Sequence, residues 1–182
     1  GRNNCRFIFI DTKNEDDDFN KNDLKFIQDF ALTKAFYTPC FFPDAPKKSK
    51  EYHYGNRFYL HTNNNIKNLL IKQAKLKFSL KNIKITSDSG IDQRNLDHFK
   101  PHTDVNLGML NILIMISGPK ALTNGTVFYT KNKENVELDI HVGFRENRAI
   151  LFPSNWWHSQ HASDVPNLQR YTASLFIKDY EE

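Results

Sequence analysis

The sequence lacks the features that disulfide-rich, membrane-spanning and secreted proteins require. It contains two cysteines, Cys5 and Cys40, among 182 residues, so one disulfide can form but a disulfide framework cannot. No apolar run approaches the roughly 18 residues that a membrane-spanning helix needs. No signal peptide is visible either. These absences predict a cytoplasmic protein without a membrane segment.

The chain also has only a small excess of positive over negative charge. The formal net charge is +4, and the cations are scattered along the chain rather than collected into a basic arm. A dispersed charge of this size is typical of a solvated surface and argues against a nucleic-acid partner. The sequence also lacks internal repeats and low-complexity linkers, so we expect one domain over residues 1–182.

What the chain does have is enough apolar surface for a core, because 39 % of its residues are hydrophobic and 13 % are aromatic. Apolar residues recur at near-helical spacing over residues 18–37 and again over 66–74, which predicts two helices in the N-terminal half. The other N-terminal segments read as strands at 5–10, 51–60 and 76–85, and as loops at 38–50 and 87–100.

From residue 101 the pattern changes to short strand-like runs that are separated by turn residues. Strands at this spacing indicate an antiparallel sandwich or barrel. The N-terminal helices would then support one face of the sheet and leave the other face open for a ligand. We therefore expect an α+β fold that is mainly β. The predicted strands are 110–116, 126–130, 136–142, 148–152, 157–161 and 170–177.

A histidine and a carboxylate, His102 and Asp104, stand two positions apart. In an extended segment such residues point to the same side, so the imidazole and the carboxylate would converge on one point. A non-haem iron site combines two histidines with one carboxylate. We choose His158 as the third ligand, because it follows a buried strand and a turn that place it at the lip of the sheet. The other candidates are His98, His141 and His161, of which His161 is the alternative.

The last predicted strand carries a cation on a face that also bears hydroxyl groups. Alternation places Arg170 and Thr172 on one side of this strand, with Ser174 and Phe176, and apolar residues on the other. A buried arginine is costly unless it is paired. Its planar guanidinium can hold a carboxylate through two parallel hydrogen bonds, and a neighbouring hydroxyl can donate a third.

Taken together, His102-x-Asp104, His158 and Arg170-x-Thr172 resemble the motifs of the Fe(II)- and 2-oxoglutarate-dependent oxygenases. The resemblance implies a double-stranded β-helix, or jelly roll, with N-terminal supporting helices. It implies that His102, Asp104 and His158 are catalytic and bind Fe(II). Arg170 would bind the distal carboxylate of 2-oxoglutarate, assisted by Thr172. Residues 1–97 would then supply helices and first strands, and residues 98–178 the metal- and co-substrate-binding core.

The same resemblance implies a dioxygenase that consumes O₂, releases succinate and CO₂, and hydroxylates a C–H bond of a small molecule or a peptide side chain. Asp104 stands where related halogenases leave the position open for halide, which favours hydroxylation. The nucleic-acid-dealkylating branch has a second arginine shortly after the first, and this chain lacks it. The motifs are similar to those of small hydroxylases related to prolyl hydroxylases, which leaves the substrate open.

Other residues give weaker indications. Asn111 is the lone polar residue in its apolar strand, so it needs a partner, which would be the co-substrate, a backbone group or water. Tyr129 could reach the same pocket and bind the co-substrate. Residues 38–50 and the aromatic segment 51–60 are predicted to line the substrate entrance.

Two alternatives to the oxygenase hypothesis stay open. The first is a cupin-like barrel that binds another divalent metal without 2-oxoglutarate. The second is a non-catalytic jelly roll in which His102 and Asp104 are incidental. A stoichiometric metal ion would exclude the second, and the effect of replacing Arg170 would separate the first from the oxygenase.

Overall fold

The computed structural model describes residues 8–11, 18–42, 46, 53–95, 100–121, 123–132, 135–161 and 169–181. Two helices, α1 (Asp18–Thr33) and α2 (Asn64–Phe78), lie in the N-terminal half. The strands are β1 (Phe9–Asp11), β2 (Thr38–Phe41), β3 (His53–Tyr59), β4 (Asn82–Ile85), β5 (Gly90–Asn95), β6 (Leu110–Ser117), β7 (Gly125–Asn132), β8 (Asn135–Gly143), β9 (Ala149–Pro153), β10 (Trp157–His161) and β11 (Gln169–Glu181).

The start of α2 follows from its local sequence, whereas the end of α1 does not. The side chain of Asn63 accepts a hydrogen bond from the backbone N–H of Ile66 at 3.1 Å and so caps the N-terminus of α2. α1 ends at Thr33 rather than at the predicted residue 37; beyond it Phe36 is 86 % exposed, while Ala35 and Tyr37 still pack against the core without helical backbone. No helix among the described residues has the length and apolar character that crossing a membrane requires.

The strands form two antiparallel sheets. In the described part of the chain the larger sheet has eight strands, in the order β1-β9-β6-β11-β5-β3-β2, with β4 also paired to β11. The smaller sheet has the order β10-β7-β8. This is the jelly-roll architecture with N-terminal helices that the sequence predicted.

Two apolar layers hold the sheets and helices together. Apolar side chains of α1 and α2 pack against the outer face of the larger sheet, where alternate residues of β6 and β11 are fully buried. A second cluster, between the two sheets, includes Met115, Phe128 and Phe152. Burying each such side chain stabilises the fold by about 1.5–3 kcal/mol. The inner face of β11 turns away from the helices and faces the open space between the sheets.

Two predicted loops contain strands. Residues 38–50 include β2, and residues 87–100 include β5, which pairs with both β3 and β11. The prediction for β5 was wrong because Ile91 is its one apolar residue, so its extended conformation comes from pairing with distant strands rather than from a local pattern. Part of the predicted strand 76–85 is also helical, since α2 continues to Phe78. Residues 43–45, 47–52 and 96–99 lie outside the described part of the chain.

Candidate metal centre and its cavity

A cavity of about 450 Å³ lies between the two sheets. This volume is in the range of small-molecule sites. The larger sheet contributes polar side chains from β3, β5 and β11, and the smaller sheet contributes side chains from β7 and β10. The segment just before Asp104 closes one side, and Phe42 and Tyr54 lie at another, from the two segments predicted to form the substrate entrance.

Backbone pairing brings His102 and His158 together. The N–H of each residue donates to the carbonyl oxygen of the other at 3.0 Å, which makes an isolated antiparallel bridge beside β10. The N–H of Asp104 donates to the carbonyl oxygen of Ser154 at 2.8 Å. Directly opposed residues of an antiparallel pair project to the same side. The two imidazole rings therefore lie with their centroids 4.4 Å apart.

The side chains of three residues converge at the end of this bridge. They are His102, Asp104 and His158, and we call them the metal group. His158 Nε2 lies 3.1 Å from Asp104 Oδ2, and His102 Nε2 lies 3.7 Å from Asp104 Oδ1. One potential ligand atom from each residue lies within 4.8 Å of the others. No other group of three such residues occurs in the described ranges. His141 lies on the exposed side of β8, and His98 and the His161 side chain fall outside the described part of the chain.

The outer nitrogens of both rings are already engaged. His102 Nδ1 lies 2.9 Å from the carbonyl oxygen of Lys100, and His158 Nδ1 lies 3.0 Å from that of Trp156. A carbonyl oxygen can only accept, so Nδ1 of each ring carries a proton and Nε2 is the nitrogen turned toward Asp104. The Nε2 atoms of the two rings and the Asp104 carboxylate thus face one common point, where one metal cation could contact all three. The donor set fits a divalent metal.

The protonation of the group suits metal binding at neutral pH. Burial, with the neighbouring His158, lowers the pKa of His102 to about 4, so its ring is neutral. Burial alone would raise the pKa of Asp104, but the His158 and His102 imidazoles and the Asn111 amide lower it below its usual value. The cluster therefore holds a carboxylate and a neutral imidazole, the forms that ligate metals.

Asn111 lies behind Asp104 rather than in the cavity. Its Nδ2 donates to Asp104 Oδ2 at 2.6 Å, and both residues are buried. Its Oδ1 has no hydrogen-bond partner among the described residues. A buried amide bonded to a ligand oxygen fixes the orientation of that carboxylate. The structure thus places Asn111 beside the metal group, and its predicted contact with the co-substrate stays a prediction.

Arg170 is 3 % exposed and lines the same cavity. Its guanidinium donates to the carbonyl oxygen of Gly125 at 2.5 Å and to Thr126 Oγ1 at 3.0 Å. Among the described residues its Nε–H has no hydrogen-bond partner, and no acidic side chain forms an ion pair with it. Burial and then the like charge of Arg94 lower its pKa to about 9. A buried cation without a counter-ion marks a place for an anion.

The remaining predicted residues divide into two groups. Thr172 follows Arg170 on the inner face of β11 and lines the cavity. Tyr129 does not line the cavity, and its hydroxyl lies 2.8 Å from the Ser159 hydroxyl, which does. The structure therefore brings the metal group, Arg170 and Thr172 to one space and leaves Tyr129 one side chain away from it.

Solved structures resemble this chain in fold. A prolyl hydroxylase from Trichoplax adhaerens, in complex with a hypoxia inducible factor oxygen degradation domain peptide fragment, has a TM-score of 0.64 at 12 % identity over 94 % of this chain and 83 % of that chain. The chain has the fold of the 2-oxoglutarate- and Fe(II)-dependent oxygenases. An oxidoreductase of the 2OG-Fe(II) oxygenase family from Burkholderia pseudomallei has a TM-score of 0.56 at 11 % identity over 89 % and 80 % of the two chains.

A third structure with this oxygenase fold is SnoN, a non-heme alpha ketoglutarate dependent epimerase from nogalamycin biosynthesis. Its TM-score is 0.56 at 9 % identity, over 87 % of this chain and 73 % of that chain. A second SnoN structure holds Fe³⁺, alpha ketoglutarate and nogalamycin RO. No protein-family model and no curated protein matches the sequence.

The structure also contains a cluster of charged residues around Asp92 that the sequence did not predict. Asp92 accepts from Arg57 Nε at 2.6 Å and from Arg57 Nη2 at 3.2 Å. It also accepts from the Ser174 hydroxyl at 3.0 Å. Arg94 Nη2 lies farther away, 3.8 Å from Asp92 Oδ2. The signal for this cluster was the polar alternation Asp92-x-Arg94, which reads as a loop unless the strand is recognised.

Proposed function

We propose that this chain is an Fe(II)- and 2-oxoglutarate-dependent dioxygenase that hydroxylates a C–H bond of a small molecule or a peptide side chain. The observation that carries the proposal is that Arg170, a buried cation without a counter-ion among the described residues, lines the same cavity as three converging side chains that could hold a metal. A co-substrate that chelates a metal at one end and carries a carboxylate at the other would satisfy both.

Each residue has a distinct part in this proposal. His102, Asp104 and His158 would hold the iron, and Asn111 would keep the Asp104 carboxylate in its orientation. Arg170, with the Thr172 hydroxyl, would hold the distal carboxylate of 2-oxoglutarate. Bound iron would supply the redox chemistry by which O₂ oxidises the co-substrate to succinate and CO₂ and adds an oxygen atom to the substrate.

The apolar part of the lining serves the same chemistry. Leu107, Leu113 and Phe176 border the cavity beside the metal group. Apolar walls limit the entry of water and lower the local dielectric, which strengthens the pairing of Arg170 with a carboxylate. The solved structures with this fold hold a peptide in one case and nogalamycin RO in another, which supports both substrate classes.

Turnover of 2-oxoglutarate tests the proposal directly. Purified protein with Fe(II) and O₂ should convert 2-oxoglutarate to succinate and CO₂ at a slow uncoupled rate. The conversion should stop in excess EDTA and in His102→Ala, and it should persist in His61→Ala, which replaces an exposed histidine outside the cavity. Absence of turnover in protein shown to hold stoichiometric iron would refute the proposal.

The same assay separates the cupin-like alternative. In an oxygenase, Arg170→Met should abolish 2-oxoglutarate turnover while metal content stays unchanged, because Arg170 does not contact the metal group. A metal-dependent activity that survives Arg170→Met would favour a barrel that works without 2-oxoglutarate.

A further inference from the structure

Three groups from the smaller sheet and the turn after it contact the guanidinium of Arg170. Its Nη1 donates to the carbonyl oxygen of Gly125, and its Nη2 donates to Thr126 Oγ1 at 3.0 Å. The guanidinium carbon also lies over the Phe144 ring, 5.6 Å from the ring centroid. Arg170 itself belongs to β11 of the larger sheet, so its side chain reaches from one sheet to the other. The orientation of its charged end therefore depends on these three contacts.

Thr126 is a firmly placed acceptor for this guanidinium. It is 2 % exposed and lines the cavity beside Arg170. It lies on β7, the middle strand of the smaller sheet, opposite Gln160 of β10 and Val142 of β8. A β-branched side chain in a strand has few rotamers available to it. The position of the Thr126 hydroxyl is thus set by the backbone of the sheet.

Phe144 covers one face of the same guanidinium, although it does not line the cavity. It follows the last residue of β8, and its N–H donates to the carbonyl oxygen of Asn124 at 2.8 Å. On another side its ring lies against Gly118, where an added Cβ would be 3.0 Å from Phe144 Cζ. The face of an aromatic ring attracts a cation, and the attraction grows where water is excluded.

These contacts leave one edge of the Arg170 guanidinium for a ligand. In Arg57 the edge formed by Nε and Nη2 holds the Asp92 carboxylate through two hydrogen bonds. In Arg170 the Nε of the corresponding edge has no hydrogen-bond partner in the described part of the chain. Each Nη carries two hydrogens, so Nη2 can donate one to Thr126 and the other to a carboxylate that also accepts from Nε.

We propose that Thr126 and Phe144 are positioning residues that determine the specificity of the co-substrate site. They hold Arg170 in the orientation in which its Nε edge selects a distal carboxylate over an uncharged group of similar shape. Thr126 acts by accepting from Nη2, and Phe144 acts by covering one face of the cation. This inference rests on the proposed function, because the ligand that it concerns is 2-oxoglutarate.

Two ligands that differ at the distal end test this assignment. In 5-methyl-2-oxohexanoate an isopropyl group replaces the distal carboxylate of 2-oxoglutarate. Each ligand is titrated by calorimetry into protein that was loaded anaerobically with Mn(II). Thr126→Val, which keeps the shape of the side chain, should weaken 2-oxoglutarate binding by about tenfold, because Arg170 loses a hydrogen bond to a charged donor. Phe144→Leu should weaken it by about threefold. Neither change should alter the affinity for 5-methyl-2-oxohexanoate by more than about twofold.

Matched variants separate positioning from a general loss of packing. Thr126→Ser retains the hydroxyl and should keep more of the 2-oxoglutarate affinity than Thr126→Val. Thr130→Val on β7 and Phe26→Leu on α1 make the same replacements at exposed positions and should leave binding unchanged. The affinity for Mn(II) should be the same in every variant, because the proposed role acts through Arg170. If valine at the buried position prevents folding, Thr126→Ala repeats the test.

A double-mutant cycle shows whether Thr126 acts through Arg170. In Arg170→Met protein, the addition of Thr126→Val should change 2-oxoglutarate affinity by less than about twofold, because the hydroxyl then has no guanidinium to hold. A tenfold loss in that background would overturn the positioning role, since Thr126 would then contact the co-substrate itself. Equal losses for the two ligands would overturn the specificity.

Unchanged 2-oxoglutarate affinity in Thr126→Val or in Phe144→Leu would overturn the assignment of that residue, while the proposed function would stand. If Mn(II)-loaded wild-type protein fails to bind 2-oxoglutarate at all, the proposed function fails, and the assignment of both positioning residues fails with it.

Discussion

Two arginines on the same cavity, the half-buried Arg57 and the buried Arg170, have opposite electrostatic surroundings. Arg57 forms a two-bond ion pair with Asp92, which outweighs the effect of burial and raises its pKa above the ordinary value. Arg170 bonds only to neutral oxygens, and burial lowers its pKa to about 9. Arg57 is thus neutralised by a carboxylate of the fold, whereas Arg170 has no acidic partner among the described residues.

The two buried carboxylates repeat this contrast. Asp92 is held by permanent cations and a hydroxyl, which overcome burial and lower its pKa. Asp104 has the Asn111 amide and the imidazoles of His102 and His158 around it, and burial keeps the His102 ring neutral at pH 7. The charge of Asp92 is largely compensated by arginine, whereas Asp104 lies beside two imidazole nitrogens with which it could share a metal. We therefore expect the Arg57–Asp92 ion pair to act in folding, and we propose that Asp104 and Arg170 act in ligand binding.

Breaking the Arg57–Asp92 ion pair should have the largest effect. Arg57→Met leaves the buried Asp92 with only the longer ion pair to Arg94, at 3.8 Å, so the free energy of unfolding should fall by about 3–5 kcal/mol. Chemical denaturation measures this loss. Arg57→Met combined with Asp92→Asn should recover much of it, since no uncompensated charge remains. Equal stability of Arg57→Met and wild type would mean that the pair is not the structural element described here.

Replacing Arg170 should weaken ligand binding rather than destabilise the fold. Arg170→Met should weaken 2-oxoglutarate binding by about 100-fold, the value of two charge-assisted hydrogen bonds. The unfolding free energy of the ligand-free protein should change by less than about 1 kcal/mol, because the lost hydrogen bonds are offset by relief of an unpaired buried charge. Calorimetry and denaturation read the two quantities separately, and a loss of stability as large as that of Arg57→Met would erase the distinction.

The amide behind Asp104 should influence the metal and not the co-substrate anchor. Asn111→Leu removes the hydrogen bond to Asp104 Oδ2 and should lower the affinity for Mn(II) by about 10–100-fold. Asn111→Asp places a second carboxylate against the first and should be at least as damaging. Competition with a metal indicator gives the affinity. Unchanged Mn(II) binding in Asn111→Leu would show that Asp104 needs no such support.

Lowering the pH should reduce the stability of the metal-free protein through His102, and this should be the smallest of the four expected effects. The pKa of His102 is about 4 in the folded protein and 6.5 as the ordinary value, so within this window the unfolded chain binds a proton that the folded chain does not. Stability of the metal-free protein should therefore fall as the pH falls from 6.5 toward 4. Because the His102 side chain is 34 % exposed, the fall is moderated by solvent.

Thermal unfolding in EDTA at several pH values gives this slope. His102→Gln should have a shallower slope than wild type, because both proteins share all other titrating groups. Parallel slopes would mean that His102 carries no depressed pKa in the folded state.

The difference between the two regions also explains what could be predicted from the sequence. The metal group and the inner face of β11 were predictable because each depends on local alternation within one extended segment, as in His102-x-Asp104 and Arg170-x-Thr172. The Arg57–Asp92 pair depends on the register of β3 against β5, and no local pattern specifies that register. Asn111 was recognised as a polar group that needs a partner, but its partner lies in a loop whose position only the folded chain defines.

The central claim is that the cavity binds one metal ion and one 2-oxoglutarate together. The metal group would hold the metal, and Arg170 would hold the 2-oxoglutarate. An anaerobic calorimetric titration of 2-oxoglutarate into the protein, with and without Mn(II), tests it most directly. We expect one 2-oxoglutarate per chain with Mn(II) and an affinity at least about tenfold lower without it, because the metal and Arg170 share the ligand. Binding that is equally strong without metal, or absent in its presence, would contradict the account.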